Sequence, residues 1–138
     1  MANTKPIGVA FEDQNIIGAD YVYAVGEIGY GAAGQGTVTQ ATSKSTGVTL
    51  NKSAGQITMN NAALAAATNV TFTLTNSTLS AKDVLILNVS GAATSGAYNC
   101  WVSSMSAGSA TITLRNITAA TSLSEAVVIN FAIIHGAS

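Results

Sequence analysis

Asn69-Val70-Thr71-Phe72-Thr73-Leu74-Thr75 alternates strictly, with Val70, Phe72 and Leu74 on one side and polar residues on the other. Successive side chains of an extended backbone point to opposite faces, so this heptapeptide reads as a half-buried β-strand. The same pattern recurs outward from it. Ala110-Thr111-Ile112-Thr113-Leu114-Arg115 places Ile112 and Leu114 inward. Gly47-Val48-Thr49-Leu50-Asn51 and Gln56-Ile57-Thr58-Met59-Asn60 are shorter copies, and the intervening Lys52-Ser53-Ala54-Gly55 predicts a hairpin with a four-residue loop. Thr37 to Thr42 is a further β-rich run.

Two segments depart from alternation. Val84-Leu85-Ile86-Leu87-Asn88-Val89 and Val127-Val128-Ile129-Asn130-Phe131-Ala132-Ile133-Ile134 are nearly continuous apolar runs. Their β-branched residues favour strand over buried helix, and such strands are apolar on both faces. In a two-sheet protein the outer face then needs a cover, either a partner subunit or an arm of the chain. Asn60-Asn61-Ala62-Ala63-Leu64-Ala65-Ala66-Ala67, with an Asn cap ahead of alanines, predicts a short helix or a loop bridging two sheets. The only proline is Pro6, so nothing in 37–138 forbids central strands. Seven or eight strands at regular spacing predict an all-β chain, an antiparallel β-sandwich with a jelly roll as the favoured topology.

Composition narrows the function. The 138 residues suit one domain, and 48% hydrophobic residues suffice for its core. Charged residues are only 8%, against roughly 25% in average soluble domains. A dispersed monomer normally presents many charges, so this deficit favours oligomeric assembly, where few charges need be stripped of water. Residues 1–36 carry Lys5 against Glu12, Asp13, Asp20 and Glu27, a net −3, and end in Gly29-Tyr30-Gly31-Ala32-Ala33-Gly34-Gln35-Gly36. They read as an N-terminal arm on a linker-like stretch. Residues 37–138, with Lys44, Lys52, Lys82 and Arg115 against Asp83 and Glu125, read as the compact β-sandwich domain. Five basic residues give no footprint for nucleic acid. Glu12-Asp13 interrupts the early apolar stretch before a signal peptide can form. The run Ala126–Ile134 is far shorter than the roughly 20 residues of a spanning helix. Synthesis in a cytoplasm without membrane insertion is the expectation.

Chemistry finds little to use. Gly29-x-Gly31-x-x-Gly34 matches the dinucleotide fingerprint in form, but Gln35-Gly36-Thr37-Val38-Thr39 leads into a strand. The motif needs a helix N-terminus there to face the pyrophosphate, and an acid about 20 residues on. His135, the lone histidine, has no nucleophile elbow to serve and reads as a solvent-facing strand-end residue. Cys100, between Asn99 and Trp101, lacks a cation or base to activate it. Asp83 after Lys82 reads as a turn acid that pairs locally, and the six acids form no glycosidase pair. One His, one Cys and scattered acids give no metal-binding spacing. The expectation is a non-enzyme with no cofactor and no metal. Four sequons, at Asn69, Asn76, Asn88 and Asn116, read as chance products of Asn/Thr-rich composition. Tyr98 and Trp101 fall on opposite faces of a regular strand, which argues for packing over sugar stacking.

The stretch from Gly36 to Asn51, followed by Gly55-Gln56-Ile57-Thr58-Met59-Asn60, Thr71-Phe72-Thr73-Leu74-Thr75-Asn76-Ser77 and Asp83-Val84-Leu85-Ile86-Leu87-Asn88, and closing in Glu125–Ile134, resembles a module of small particle proteins of tailed phages. The resemblance covers most of 36–134 and implies a virion component on the phage particle surface, a capsid decoration (cement) protein that is trimeric. Its implied partners are copies of itself and the major capsid protein, with neither nucleic acid nor membrane. A tail or fibre component for host recognition is the alternative, and a carbohydrate-binding domain or minor hydrolase a third class. The arm is the candidate for docking to the shell or to a neighbouring subunit, through Phe11, Glu12, Asp13, Ile16, Ile17, Asp20, Tyr21 and Tyr23. The candidates for the oligomer interface are Val84, Ile86, Val128, Phe131 and Ile133 on the two continuous runs.

Overall fold

The alternating heptapeptide is a strand along its whole length in a computed structural model, which describes Asp20, Tyr21 and residues 23–136. It is β4, Asn69–Thr75, with Phe72 and Leu74 buried and the threonines exposed. Seven further strands are present among the described residues: β1 Gln35–Thr39, β2 Val48–Thr49, β3 Ala54–Thr58, β5 Val84–Gly91, β6 Tyr98–Ser106, β7 Ser109–Asn116 and β8 Val128–Ile134. They form two four-stranded sheets, ordered β1-β3-β8-β5 and β2-β4-β7-β6. The sheets pack face to face as a β-sandwich. Between them lie Ile57, Phe72, Leu74, Leu85, Ile112, Leu114, Ile129, Phe131 and Ile133.

The sheets are mixed rather than purely antiparallel. β3–β8, β5–β8, β4–β7 and β6–β7 are antiparallel, but β1 runs parallel to β3 and β2 parallel to β4. A jelly roll is built from antiparallel strands, so these two parallel pairs depart from the favoured topology. They also replace the predicted hairpin: β2 and β3 lie in different sheets, and the chain between them turns a corner of the sandwich. Packing around Leu50 accompanies this corner. Gly36 and Gly55 face each other across β1 and β3. A Cβ on either would come within 2.9 or 2.7 Å of a Leu50 methyl. The paired glycines open a niche that Leu50 fills from the corner, a long-range contact that local turn signals do not reveal.

The alanine-rich stretch is not helical. Leu64 instead forms an isolated antiparallel bridge with Leu123, and the only helical turn among the described residues is the 3₁₀ turn Ala32–Gly34. Asn60 does cap, but in an extended turn, its Oδ1 accepting the Ala62 N–H at 2.8 Å. The hairpin β6–β7 closes on Ala107-Gly108, where Gly108 adopts a φ of +79° that favours glycine.

Candidate assembly surface

β8 is a central strand, and its alternation divides the last apolar run in two. Ile129, Phe131 and Ile133 point into the core, whereas Val128, Asn130, Ala132 and Ile134 point outward. β5 divides likewise, with Leu85, Leu87 and Val89 inward and Val84, Ile86, Asn88 and Ser90 outward. Both runs are therefore apolar on two faces, as the sequence indicates. In the register Val84 lies opposite Ile134, and Ile86 opposite Ala132, which itself lies opposite Ala54 on β3. These residues form an apolar corner on the outer face of the sheet. Val84 and Ile134 are each 57% exposed and Ile86 49%. One row further along, Asn88, Asn130 and Gln56 form a polar ladder, in which the Gln56 amide and the Ser90 hydroxyl both donate to Asn130 Oδ1 at 3.0 Å.

Of the predicted interface residues, Val84 and Ile86 sit on this outward corner and Val128 on the same face at partial exposure. Phe131 and Ile133 do not belong with them. Both are core residues, 4% and 1% exposed, because strand parity sends odd-numbered residues of β8 inward, and the correct outward partner is Ile134. Of the arm residues, Phe11, Glu12, Asp13, Ile16 and Ile17 lie outside the described residues. Asp20, Tyr21 and Tyr23 are exposed, with the two tyrosine rings stacked at 6.0 Å. Tyr30 ties the arm to the domain: its hydroxyl donates to the Ile133 carbonyl.

The ionisable groups of the domain are largely consumed by its own structure. Lys44 is only 3% exposed, and its ammonium donates to the carbonyls of Asn60 and Glu125. Burial pushes its pKa down, with the Glu125 charge opposing. Gln40, also buried, fixes the same loop by donating to the Lys44 and Thr46 carbonyls and accepting from Asn60 N–H. The Glu125 carboxylate accepts from the Thr94 hydroxyl at 2.7 Å and the Thr94 N–H at 3.1 Å, which hold its pKa below the usual range. Burial, then the neighbouring Glu125, push the Tyr98 phenol well above its ordinary value. Asp83 accepts from the Ser80 N–H and hydroxyl and from the Gly136 N–H, and meets His135 Nδ1 at 3.0 Å. The Ser80 bonds lead in holding its pKa far below the carboxylate norm.

Ser80, Asp83 and His135 do not make a hydrolytic triad. The serine hydroxyl is bonded to the carboxylate, not to the imidazole, so no base faces the nucleophile. The turn reading of Asp83 holds, and His135 at the end of β8 is its partner. Cys100 is half-buried, and burial raises its thiol pKa, the opposite of activation. No group of three or more His, Cys, Asp or Glu side chains is placed to hold a metal among the described residues. No described helix is long and apolar enough to cross a membrane.

Two of the four sequons are structural devices that composition alone did not reveal. Asn76, following β4, and Asn116, ending β7, are both 0% exposed. In each, Oδ1 accepts from the N–H and hydroxyl of the threonine two residues on, Thr78 and Thr118. The amide of Asn76 donates to the Lys52 carbonyl, and that of Asn116 to those of Leu64 and Thr121. The available signal was an Asn-x-Thr placed at the end of an alternating run, where Asn turns the chain through its own side chain. No protein-family model matches the chain, and no curated protein or solved structure is significantly similar to it.

Proposed function

We propose that this chain is a non-enzymatic structural subunit of a tailed-phage particle, a capsid decoration protein that trimerises and binds the outer shell of major capsid protein. The observation that carries the assembly reading is the condition of the domain's surface. Among Lys44, Lys52, Lys82, Arg115, Asp83 and Glu125, only Lys82 is exposed, while Val84, Ile86 and Ile134 are about half exposed. An apolar corner nearly free of charge loses little hydration when another subunit covers it. Burial then contributes roughly 25 cal/mol per Å² before association costs. Modest contacts repeated over a lattice reinforce a shell without any single tight site. The phage assignment is supported by the resemblance of segments across 36–134.

Sedimentation equilibrium tests the assembly: the expected species has three times the 13.8 kDa chain mass, and a monomer at micromolar concentration overturns it. Antibody labelling of purified particles tests the location. Label over the shell lattice is the expected result, and label confined to the tail overturns decoration in favour of a tail or fibre role.

A further inference from the structure

β5 is an edge strand, paired only with β8. Edge strands offer a row of unpaired backbone groups, and proteins guard them with charges, prolines or covers. Val84-Leu85-Ile86-Leu87-Asn88 carries neither charge nor proline, and its outer side chains Val84 and Ile86 are half-exposed. The arm has complementary character. Tyr21, Tyr23 and Val25 recur at the strand period and are 78%, 86% and 109% exposed, so their own domain does not cover them. Asp20 and Glu27 flank them, within an arm segment of net charge −3, whereas the exposed cation Lys82 stands two residues before Val84. The ten residues from Tyr30 back to Asp20 span at most about 35 Å when extended, enough to leave the domain that anchors them.

We propose that the segment carrying Tyr21, Tyr23 and Val25 of a neighbouring copy adds as an extended strand to the open edge of β5, its apolar side chains flanking Val84 and Ile86 on the outer face. Backbone pairing supplies the register, and apolar cover with the acid–Lys82 attraction supplies selectivity. This deepens the assembly reading by naming the surfaces, and it rests on that reading.

The test mixes two differently tagged full-length chains in a Cys100→Ser background, one carrying Tyr23→Cys and the other Ile86→Cys, the centres of the two segments. Under mild oxidation a disulfide between the two tags is expected, and Lys82→Glu in the Ile86→Cys chain is expected to lower its yield at least fivefold. Sedimentation is run on the same samples. An oligomer with no inter-tag disulfide overturns the strand addition and leaves assembly standing; a monomer overturns both. In a third chain carrying both cysteines, a disulfide that forms within the chain while none forms between tags also overturns the proposal, because the segment then covers its own domain.

Discussion

Replacing Asn116 by alanine removes four hydrogen bonds at the end of β7, two donated by Nδ2 and two accepted by Oδ1. A net contribution near 1 kcal/mol per bond sets an upper bound of about 4 kcal/mol. Two partners soften the loss. The Leu64 carbonyl also accepts from the Leu123 N–H, and the Thr118 hydroxyl also reaches the Thr121 carbonyl. The Thr118 N–H has no such alternative, and stranding a buried donor costs about 1–3 kcal/mol. The expected destabilisation is therefore about 3 kcal/mol, or a Tm lowered by roughly 10 °C at this chain length. Asn76→Ala, which removes three comparable bonds, is expected to cost about 2 kcal/mol. Asn69 and Asn88 carry the same Asn-x-Thr/Ser pattern on exposed strand faces, and Asn69→Ala and Asn88→Ala should each stay within about 0.5 kcal/mol. Urea unfolding of the four variants at one protein concentration reads all four numbers. Equal effects across the set, or an Asn116→Ala loss below about 0.5 kcal/mol, would refute the claim that two sequons are built into the fold.

Gly55→Ala places a Cβ 2.7 Å from both the Gly36 carbonyl oxygen and a Leu50 methyl. Overpacking of this kind costs about 1–3 kcal/mol, whereas Gly26→Ala, with open space around it, should be neutral; thermal unfolding of both checks the pair. Asp83 has a depressed pKa in the folded chain. Its contribution is therefore complete above the unfolded carboxylate value near 4 and is lost as pH falls below it. The stability gap between wild type and Asp83→Asn is expected to be widest at pH 7 and to narrow in urea titrations below pH 4, and a gap constant down to pH 2.5 would count against the assignment.

Fold class was legible because its signal is local. β4 alternates throughout and β7 from Ala110 to Ile112, and β5 and β8 are β-branched runs whose two apolar faces could be read directly. Sheet membership was not legible, because it depends on contacts distant in sequence. The loop 52–55 has the length and glycine of a hairpin, yet its flanking strands lie in different sheets, with Leu50 packed into the niche between Gly36 and Gly55. Parity within the final run was also missed. Hydrophobicity at 127–134 is so continuous that Phe131 and Ile133 look interchangeable with Ile134, and only the register with β5 and β3 separates core from surface. The alanines at 62–67 favour helix by propensity, but the Leu64–Leu123 bridge outweighs a preference of a few tenths of a kcal/mol per residue.

Placement of the charges changes what their scarcity means. A composition with 8% charged residues still permits a dispersed monomer if every charge faces water. Here three of the domain's six ions are engaged by its own loops. Lys44 satisfies carbonyls in the 60 and 125 loops, Asp83 binds Ser80 and Gly136, and Glu125 holds Thr94. Charges engaged this way by their own loops are partly withdrawn from the task of keeping molecules apart. What remains on the outer face of the β1-β3-β8-β5 sheet is an amide ladder beside an apolar corner, bounded by a single exposed lysine. An edge in that state is open to pairing with a further strand. Tyr21, Tyr23 and Val25, between Asp20 and Glu27, are likewise left bare by the sandwich, so under the proposed strand addition a second copy would cover both exposed sets at once.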